Sequence, residues 1–138
     1  MTPYQIDLVK VSFVKVAPIA EQAASMFYGR LFEIAPPLRA LFKGDLKDQG
    51  GKLMATIGLA VASLDRLPEL VPALEQLGRR HRAYGVKDED YDVVAQALLW
   101  TLGQGLGDAF TAEVKEAWAA AYTLLADTMM RAARQAAA

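Results

Sequence analysis

The chain has 138 residues, of which 54% are hydrophobic and 22% are charged, and its formal net charge is −1. This length is typical of one domain with its own hydrophobic core, which we expect to span residues 1–138. The charge is balanced, so the chain lacks the excess of basic residues that is typical of proteins that bind nucleic acids or anionic membranes. No apolar run reaches the roughly 18 residues that span a bilayer.

The first part of the chain predicts three helices. Apolar residues recur there at three- and four-residue spacing, and no segment alternates as a strand would. Thr2, Pro3 and Gln5 form the pattern of a capping box at the start of the first helix. Prolines then separate a second helix, expected over residues 18–33, from a short third one, expected over residues 38–42.

Four more helices are predicted in the second part of the chain. Their expected positions are residues 48–64, residues 71–84, a long helix capped by Asp88 or Asp90 and ending at Leu106, and a last helix capped by Thr111. The Ala-rich end, residues 135–138, is expected to fray. Seven or eight helices with short connections predict an all-α fold, and they are too many for a four-helix bundle.

The chain contains no cysteine, which limits the kinds of metal site it can build. The lack of thiols excludes disulfides, iron–sulfur clusters, thiolate-bound haem and the covalent attachment of c-type haem. The first residues carry no basic stretch followed by an apolar core, so they predict no signal peptide and a cytoplasmic location by default.

The only histidine, His81, falls on the apolar face of a predicted helix together with Leu70, Leu74 and Leu77. Gly85 predicts the end of that helix one turn later. This stretch alone leaves two interpretations open, a buried hydrogen-bonded histidine or a metal ligand. A single imidazole does not complete a zinc site without carboxylates, whereas haem supplies four nitrogens and needs one axial ligand.

Several residues in a fixed order carry a resemblance to a known family. The order Phe27-Tyr28, Pro37 to Phe42, Gln49, His81 to Gly85-Val86, and Tyr91 resembles that of bacterial single-domain globins. It is similar to the Vitreoscilla-type haemoglobins and to the haem domain of flavohaemoglobins. The resemblance covers almost the whole chain and implies a globin fold of seven to eight helices around a non-covalent b-type haem.

The resemblance also implies a role for each residue. His81 would be the proximal iron ligand, and Phe42 would pack on the porphyrin. Tyr28 and Gln49 would donate hydrogen bonds to oxygen on the distal side, which Leu53 would cover. The other implied haem contacts are Leu77, Val86, Tyr91 and Val94, with Lys52 and Arg80 as candidate partners of the propionates, and Ala24 and Gly50 would allow two helices to cross closely.

Each role has a plainer alternative. An apolar residue such as Leu53 or Val94 is ordinary core in most helical proteins. A glutamine at the start of a helix, such as Gln49, is often exposed. Long basic side chains such as Lys52 and Arg80 are usually solvated.

The sequence departs from the flavohaemoglobin pattern at one position. In that family a glutamate on the last helix joins a tyrosine and the proximal histidine in a hydrogen-bonded chain. Tyr91 matches the tyrosine, but Ala133 stands where the glutamate is expected. His81 would therefore push less electron density onto the iron, although its ring N–H can still bond a carbonyl near Leu77.

These implications lead to one preferred function and three alternatives. The preferred function is reversible binding of oxygen, and also of carbon monoxide and nitric oxide, by a monomer or homodimer. The first alternative is a nitric oxide dioxygenase with a separate electron-donating reductase, because the sequence contains no flavin or nicotinamide domain. A haem-based sensor and a helical interaction module without haem are less favoured.

Overall fold

Residues 1–137 are described by the computed structural model, with side chains through residue 135, and they contain no strand. The six α-helices are α1 (Pro3–Val16), α2 (Ala20–Ile34), α3 (Leu46–Ala62), α4 (Leu67–Ala83), α5 (Asp88–Leu106) and α6 (Ala112–Ala137). Short 3₁₀ helices cover Ala17–Ile19, Pro36–Leu41, Leu64–Arg66 and Gly107–Ala109. Each of the seven predicted helices has a counterpart, because the short third one corresponds to Pro36–Leu41. None of the described helices combines the length and the apolar character needed to cross a membrane.

Two helices begin earlier than the sequence predicted. α3 begins at Leu46 rather than at residue 48, because the Asp45 carboxylate accepts a hydrogen bond of 3.0 Å from the Lys47 N–H. α4 begins at Leu67 rather than at residue 71. Pro68 stands at its second position, where a helix leaves the backbone N–H unpaired, so this proline starts the helix instead of marking a turn.

Two other helix starts also differ from the prediction. Pro18 lies in the 3₁₀ segment Ala17–Ile19, so α2 begins at Ala20. α5 is capped by Lys87, and not by Asp88 or Asp90. The Asp90 carboxylate instead accepts a hydrogen bond of 2.9 Å from the Lys87 N–H, and its charge is favourable in the first turn.

The last helix is held at both ends. Thr111 Oγ1 accepts from the Val114 N–H at 3.2 Å, as expected for the predicted cap. The helix continues to Ala137, beyond Arg134, after which the sequence predicted fraying of residues 135–138; residue 138 lies outside the described residues. The Arg134 guanidinium lies 2.9 Å from the Asp88 carboxylate and ties this end of α6 to the start of α5.

The hydrophobic core lies mainly between α1, α3, α5 and α6. A buried polar connection between α1 and α6 is satisfied, because Trp118 Nε1 donates to Ser12 Oγ at 2.8 Å and Ser12 donates to the Leu8 carbonyl at 2.7 Å. A second cluster joins α2, α3 and α5, and a third joins α4 to α6. The candidate site residues lie in the second cluster and on α4.

α4 and α6 approach each other closely at Gly78. A Cβ atom at this position would overlap the carbonyl oxygen of Met129 and lie 2.7 Å from its carbonyl carbon. Gly78 precedes His81 by three residues, which is slightly less than one helical turn. The crossing therefore sets the distance of the histidine from the core, a role that the sequence analysis did not assign to this glycine.

We expect Gly78→Ala to lower the free energy of unfolding by about 2 kcal/mol or more, because neither backbone can move away without opening the α4–α6 contact. Gly51→Ala is the matched control. A Cβ at Gly51 meets nothing within 4 Å, so the substitution is expected to stabilise α3 by up to about 1 kcal/mol through helix propensity. Urea unfolding followed by circular dichroism measures both, and equal effects of the two substitutions would contradict the crossing.

Candidate functional site

Four of the residues singled out in the sequence come together in one apolar cluster: Tyr28, Phe42, Leu53 and Val94. They come from α2, from the residue after the 3₁₀ segment Pro36–Leu41, from α3 and from α5. Only Tyr28 of these four is buried, whereas the other three are half-buried. The cluster therefore forms an apolar wall, part of which protein atoms leave uncovered.

Three aromatic rings form the centre of this wall. The ring centroids of Tyr28 and Phe42 are 5.3 Å apart at an interplanar angle of 71°, and those of Phe32 and Phe42 are 5.5 Å apart at 69°. Both arrangements are edge-to-face, which is favourable for aromatic pairs. The sequence analysis placed Phe32 in the second helix but not at the site. A phenylalanine in a helix has no sequence feature that distinguishes a core position from a position at the site.

The Tyr28 hydroxyl is a free hydrogen-bond donor. The Tyr28 residue is 6% exposed, yet no other described residue accepts from its hydroxyl. Burial raises the pKa of the Tyr28 phenol, so it stays protonated. The Tyr28 ring packs against α3 at Gly50, where a Cβ would lie 2.9 Å from the Ala24 Cβ and 3.7 Å from a Tyr28 ring carbon. This close crossing of α2 and α3 is the one that the resemblance implied.

Gln49 lies in the first turn of α3, one turn before Leu53. Its side chain is half-buried, and its amide nitrogen is 3.8 Å from the place that a Cβ on Gly44 would take. No hydrogen bond within the described residues involves this amide. Gln49 is thus an available donor at the start of α3, and its predicted role in the pocket stays a prediction.

His81 lies on the inward side of α4, half-buried, with its Nδ1 atom 2.8 Å from the Leu77 carbonyl oxygen. Because a carbonyl oxygen only accepts, Nδ1 must carry the hydrogen and Nε2 keeps its lone pair. Burial lowers the pKa of His81, and the Leu77 hydrogen bond opposes part of that shift. The imidazole is therefore held in the neutral state with one nitrogen available, as a metal ligand requires.

The chain turns at Gly85, about one helical turn after His81. Gly85 has a φ of +98°, which favours glycine, and its N–H donates to the Arg82 carbonyl at 3.0 Å. The Val86 N–H donates to the His81 carbonyl, also at 3.0 Å. These two bonds form the helix stop predicted at Gly85, and they bring Val86 back beside the last turn of α4. Val86 and Leu77 are both half-buried there.

Tyr91 lies next to His81, with the two ring centroids 6.4 Å apart. Its hydroxyl is enclosed and has no hydrogen-bond partner, while its carbonyl accepts a bond of 2.7 Å from the Tyr122 hydroxyl. Ala133 is 4% exposed on α6. Of the described residues, therefore, none supplies the carboxylate that would link Tyr91 to the histidine, in agreement with the departure seen in the sequence.

The two basic residues predicted to bind the propionates form no ion pair within the described residues. Lys52 and Arg80 are exposed, and neither takes part in an ion pair within the described part of the chain. Their predicted contact with the propionates stays a prediction. The described part of the chain contains no group of three His, Cys, Asp or Glu side chains that could hold a metal ion. The lone imidazole consequently suits a metal that brings its other ligands with it.

The chain matches the family described as Globin over residues 25–129. It is 37% identical to the flavohemoprotein of Rhodopirellula baltica over 125 residues, which are 88% of this chain and 31% of that protein. It is 30% identical to Neuroglobin-1 of Oncorhynchus mykiss over 145 residues, covering 95% of this chain and 91% of that protein. The chain spans about a third of the length of the flavohemoproteins that it matches.

Two solved structures share the architecture. A proposed nitric oxide dioxygenase from Rhodothermus marinus, engineered as a carbene transferase, has a TM-score of 0.88 at 26% identity, with 99% of this chain and 95% of that chain covered. A hexacoordinated haem protein from an anhydrobiotic tardigrade, studied at pH 4, has a TM-score of 0.87 at 18% identity, with 97% and 96% covered. The second likeness shows the fold alone.

The two neighbouring tyrosines provide a test of the site geometry. Tyr91→Phe removes an enclosed hydroxyl without a partner, so we expect the free energy of unfolding to rise by up to about 1 kcal/mol. Tyr122→Phe removes a donor that is bonded, so we expect a loss of roughly 0.5–1.5 kcal/mol. Urea unfolding at equal haem content measures both. A clear loss of stability in Tyr91→Phe would mean that its hydroxyl has a partner.

Proposed function

This chain belongs to the globin family, and on that premise we propose that it holds a non-covalent b-type haem and reversibly binds oxygen and other diatomic gases. The observation that carries the proposal is His81, a neutral imidazole whose Nδ1 is bonded to Leu77 and whose Nε2 is free. When bound, the haem supplies the iron at which oxygen, carbon monoxide or nitric oxide binds. Everything else in the site serves to hold that group or to favour one ligand over another.

On the proximal side, His81 would supply the single protein ligand to the iron, because the chain has no other imidazole and no thiolate. The Leu77 carbonyl fixes the orientation and tautomer of the ring through the 2.8 Å bond to Nδ1. Leu77, Val86 and Val94 would contact the porphyrin with apolar side chains that the protein leaves half-exposed. Tyr91 packs beside the imidazole and limits its rotation.

On the distal side, Tyr28 and Gln49 would donate hydrogen bonds to oxygen, which carries partial negative charge when it binds. The pKa of Tyr28 is raised by burial, so the phenol remains a donor across the physiological pH range. Phe42 and Leu53 supply apolar surface that excludes water from the same space. Lys52 and Arg80 would pair with the propionates at the edge, since both are exposed and unpaired within the described residues.

A nitric oxide dioxygenase with an electron-donating reductase is the second candidate. It is favoured by the similarity to flavohemoproteins and to the Rhodothermus marinus protein described as a proposed dioxygenase of that kind. The Tyr91 hydroxyl argues for the simpler function, because it is enclosed without the carboxylate that would increase the electron donation of His81. Consumption of nitric oxide over many turnovers with a reductase present, compared with a single turnover, separates the two functions.

The first functional test is His81→Gly. We expect the purified parent protein to show a Soret band, and the variant to lose most of its haem because no other side chain replaces the imidazole. Imidazole added at millimolar concentration should restore the spectrum, since glycine leaves space for a free ring. Full haem retention and an unchanged ferrous spectrum in His81→Gly would contradict the assignment of the ligand.

The second functional test concerns oxygen release. Tyr28→Phe removes one donor and keeps the ring, and a hydrogen bond to a charged group contributes roughly 1.5–3 kcal/mol. We therefore expect oxygen release to become about ten- to a hundredfold faster, since ~1.4 kcal/mol corresponds to one decade. Carbon monoxide release should change little because carbon monoxide is a poorer acceptor. Gln49→Leu should have the same effect more weakly, because its side chain is more mobile.

Stopped-flow measurements on Tyr28→Phe, Gln49→Leu and the double variant provide this comparison. Tyr4→Phe is the matched control, because it removes a surface phenol that donates to Glu113 far from the site. The effects of the two pocket substitutions need not add, as both donors serve one ligand. If the double variant released oxygen within about threefold of the parent, or ~0.7 kcal/mol, the distal role of both residues would be withdrawn.

A further inference from the structure

The outer side of α1 carries two valines that the core does not use. Val11 and Val14 are 60% and 70% exposed, whereas Val9 and Val16 on the opposite side of the same helix are buried in the core. Valine is a poorer helix former than alanine or lysine, because its branched side chain loses rotamer freedom in a helix. The two exposed valines therefore stabilise neither the core nor α1, and their apolar surface stays uncovered in a single chain.

The charges on this side of α1 are arranged symmetrically about Val11. Asp7 lies four residues before Val11 and Lys15 lies four residues after it, and both are exposed. At 3.6 residues per turn, Asp7, Val11, Val14 and Lys15 fall within about 100° of the helix circumference, so they form one surface, here called the α1 outer face. Within the described residues neither charge takes part in an ion pair.

We propose that the α1 outer face binds the same face of a second copy of this chain, with the two helices antiparallel and the two-fold axis at Val11. Positions that are symmetric about residue 11 then lie opposite each other. Asp7 of each copy faces Lys15 of the other, so the same ion pair forms twice. Val11 faces its own counterpart, and Val14 faces the half-buried Leu8.

The charges on the page favour this partner and this orientation. A two-fold contact requires a surface that complements itself, which a face with one carboxylate, an apolar centre and one ammonium group does. In a parallel pair Asp7 would face Asp7 and Lys15 would face Lys15, so like charges would meet. Antiparallel helices also place their dipoles in opposite directions, which is favourable. A partner with charges of one sign would be repelled at one end of the face.

The interface is small, and it is separate from the gas-binding site. One pair of short helices buries less than the ~1,200 Å² typical of stable complexes, so we expect a weak dimer that forms at high protein concentration. None of the residues assigned to the haem site lies on α1. Substitutions on the α1 outer face should therefore leave the Soret band and the rate of oxygen release unchanged.

The first experiment tests the position of the axis, and it uses the fact that the chain has no cysteine. In Val11→Cys the two thiols of the dimer would face each other, so mild oxidation should link the chains. The linkage should be at least about tenfold faster than in Gln96→Cys, because association raises the effective concentration of the thiols. Gln96 is exposed on α5 and reports random collision. Equal rates of linkage in the two variants, read on a non-reducing denaturing gel, would overturn the proposal.

The second experiment tests the ion pairs by sedimentation equilibrium of the haem-loaded protein over a range of concentrations. Asp7→Lys and Lys15→Asp should each weaken association about tenfold, because each substitution places like charges together at two symmetry-related contacts. Asp7→Lys/Lys15→Asp keeps the net charge of the parent and restores opposite charges across the axis, so it should recover the dimer. Failure of this double variant to associate better than both single variants would contradict the pairing.

A third variant separates the interface from the stability of the fold. Val11→Lys would place two ammonium groups on the axis and should leave only monomer. Its unfolding midpoint in urea should stay the same or rise slightly, since lysine is the better helix former. A parent that remains monomeric at submillimolar concentration would show that no second copy covers this face, and would overturn the proposal. A missing Soret band would count against the proposed gas-binding function alone.

Discussion

The hydrogen bond between His81 Nδ1 and the Leu77 carbonyl, 2.8 Å long, is the interaction on which the site depends. It assigns the proton to one ring nitrogen and leaves the other free, and it resists rotation of the ring. Because the acceptor is a carbonyl of the same helix, α4 itself fixes the orientation of the imidazole. The helix stop at Gly85, where Val86 bonds back to the His81 carbonyl, then closes the same turn.

The position of that turn relative to the rest of the molecule depends on two glycines. Gly78 lets α4 approach the Met129 backbone, and Gly50 lets α3 approach Ala24 on α2. One crossing positions His81 and the other positions the Tyr28 ring. Both sides of the site are therefore positioned by close contacts that leave no room for a methyl group, against backbone atoms at Gly78 and against the Ala24 side chain at Gly50.

The environment of His81 favours simple ligand binding over chemistry that needs a strongly donating histidine. A carbonyl is a weaker acceptor than a carboxylate, and the enclosed Tyr91 hydroxyl has no acidic partner. Ala133 lies buried on α6, next in sequence to Arg134, which pairs with Asp88 on α5.

The sequence by itself determined the globin fold, which is confirmed, and the choice of His81 as the candidate ligand. The all-α class and the choice of His81 depend on periodicity, capping residues and the count of one residue type, which are local or compositional properties. The globin fold followed from the family resemblance that an ordered set of residues carries. It misplaced the starts of α2, α3, α4 and α5, because whether a proline or an aspartate starts or ends a helix depends on which hydrogen bonds form around it.

Only the tertiary structure decided the arrangement of the site. That Phe32 joins Tyr28 and Phe42, that Gly78 is a contact point, and that the Tyr91 hydroxyl has no partner all depend on how different helices and turns pack together. A sequence shows which side chains are available, but distances between helices arise from packing of whole faces.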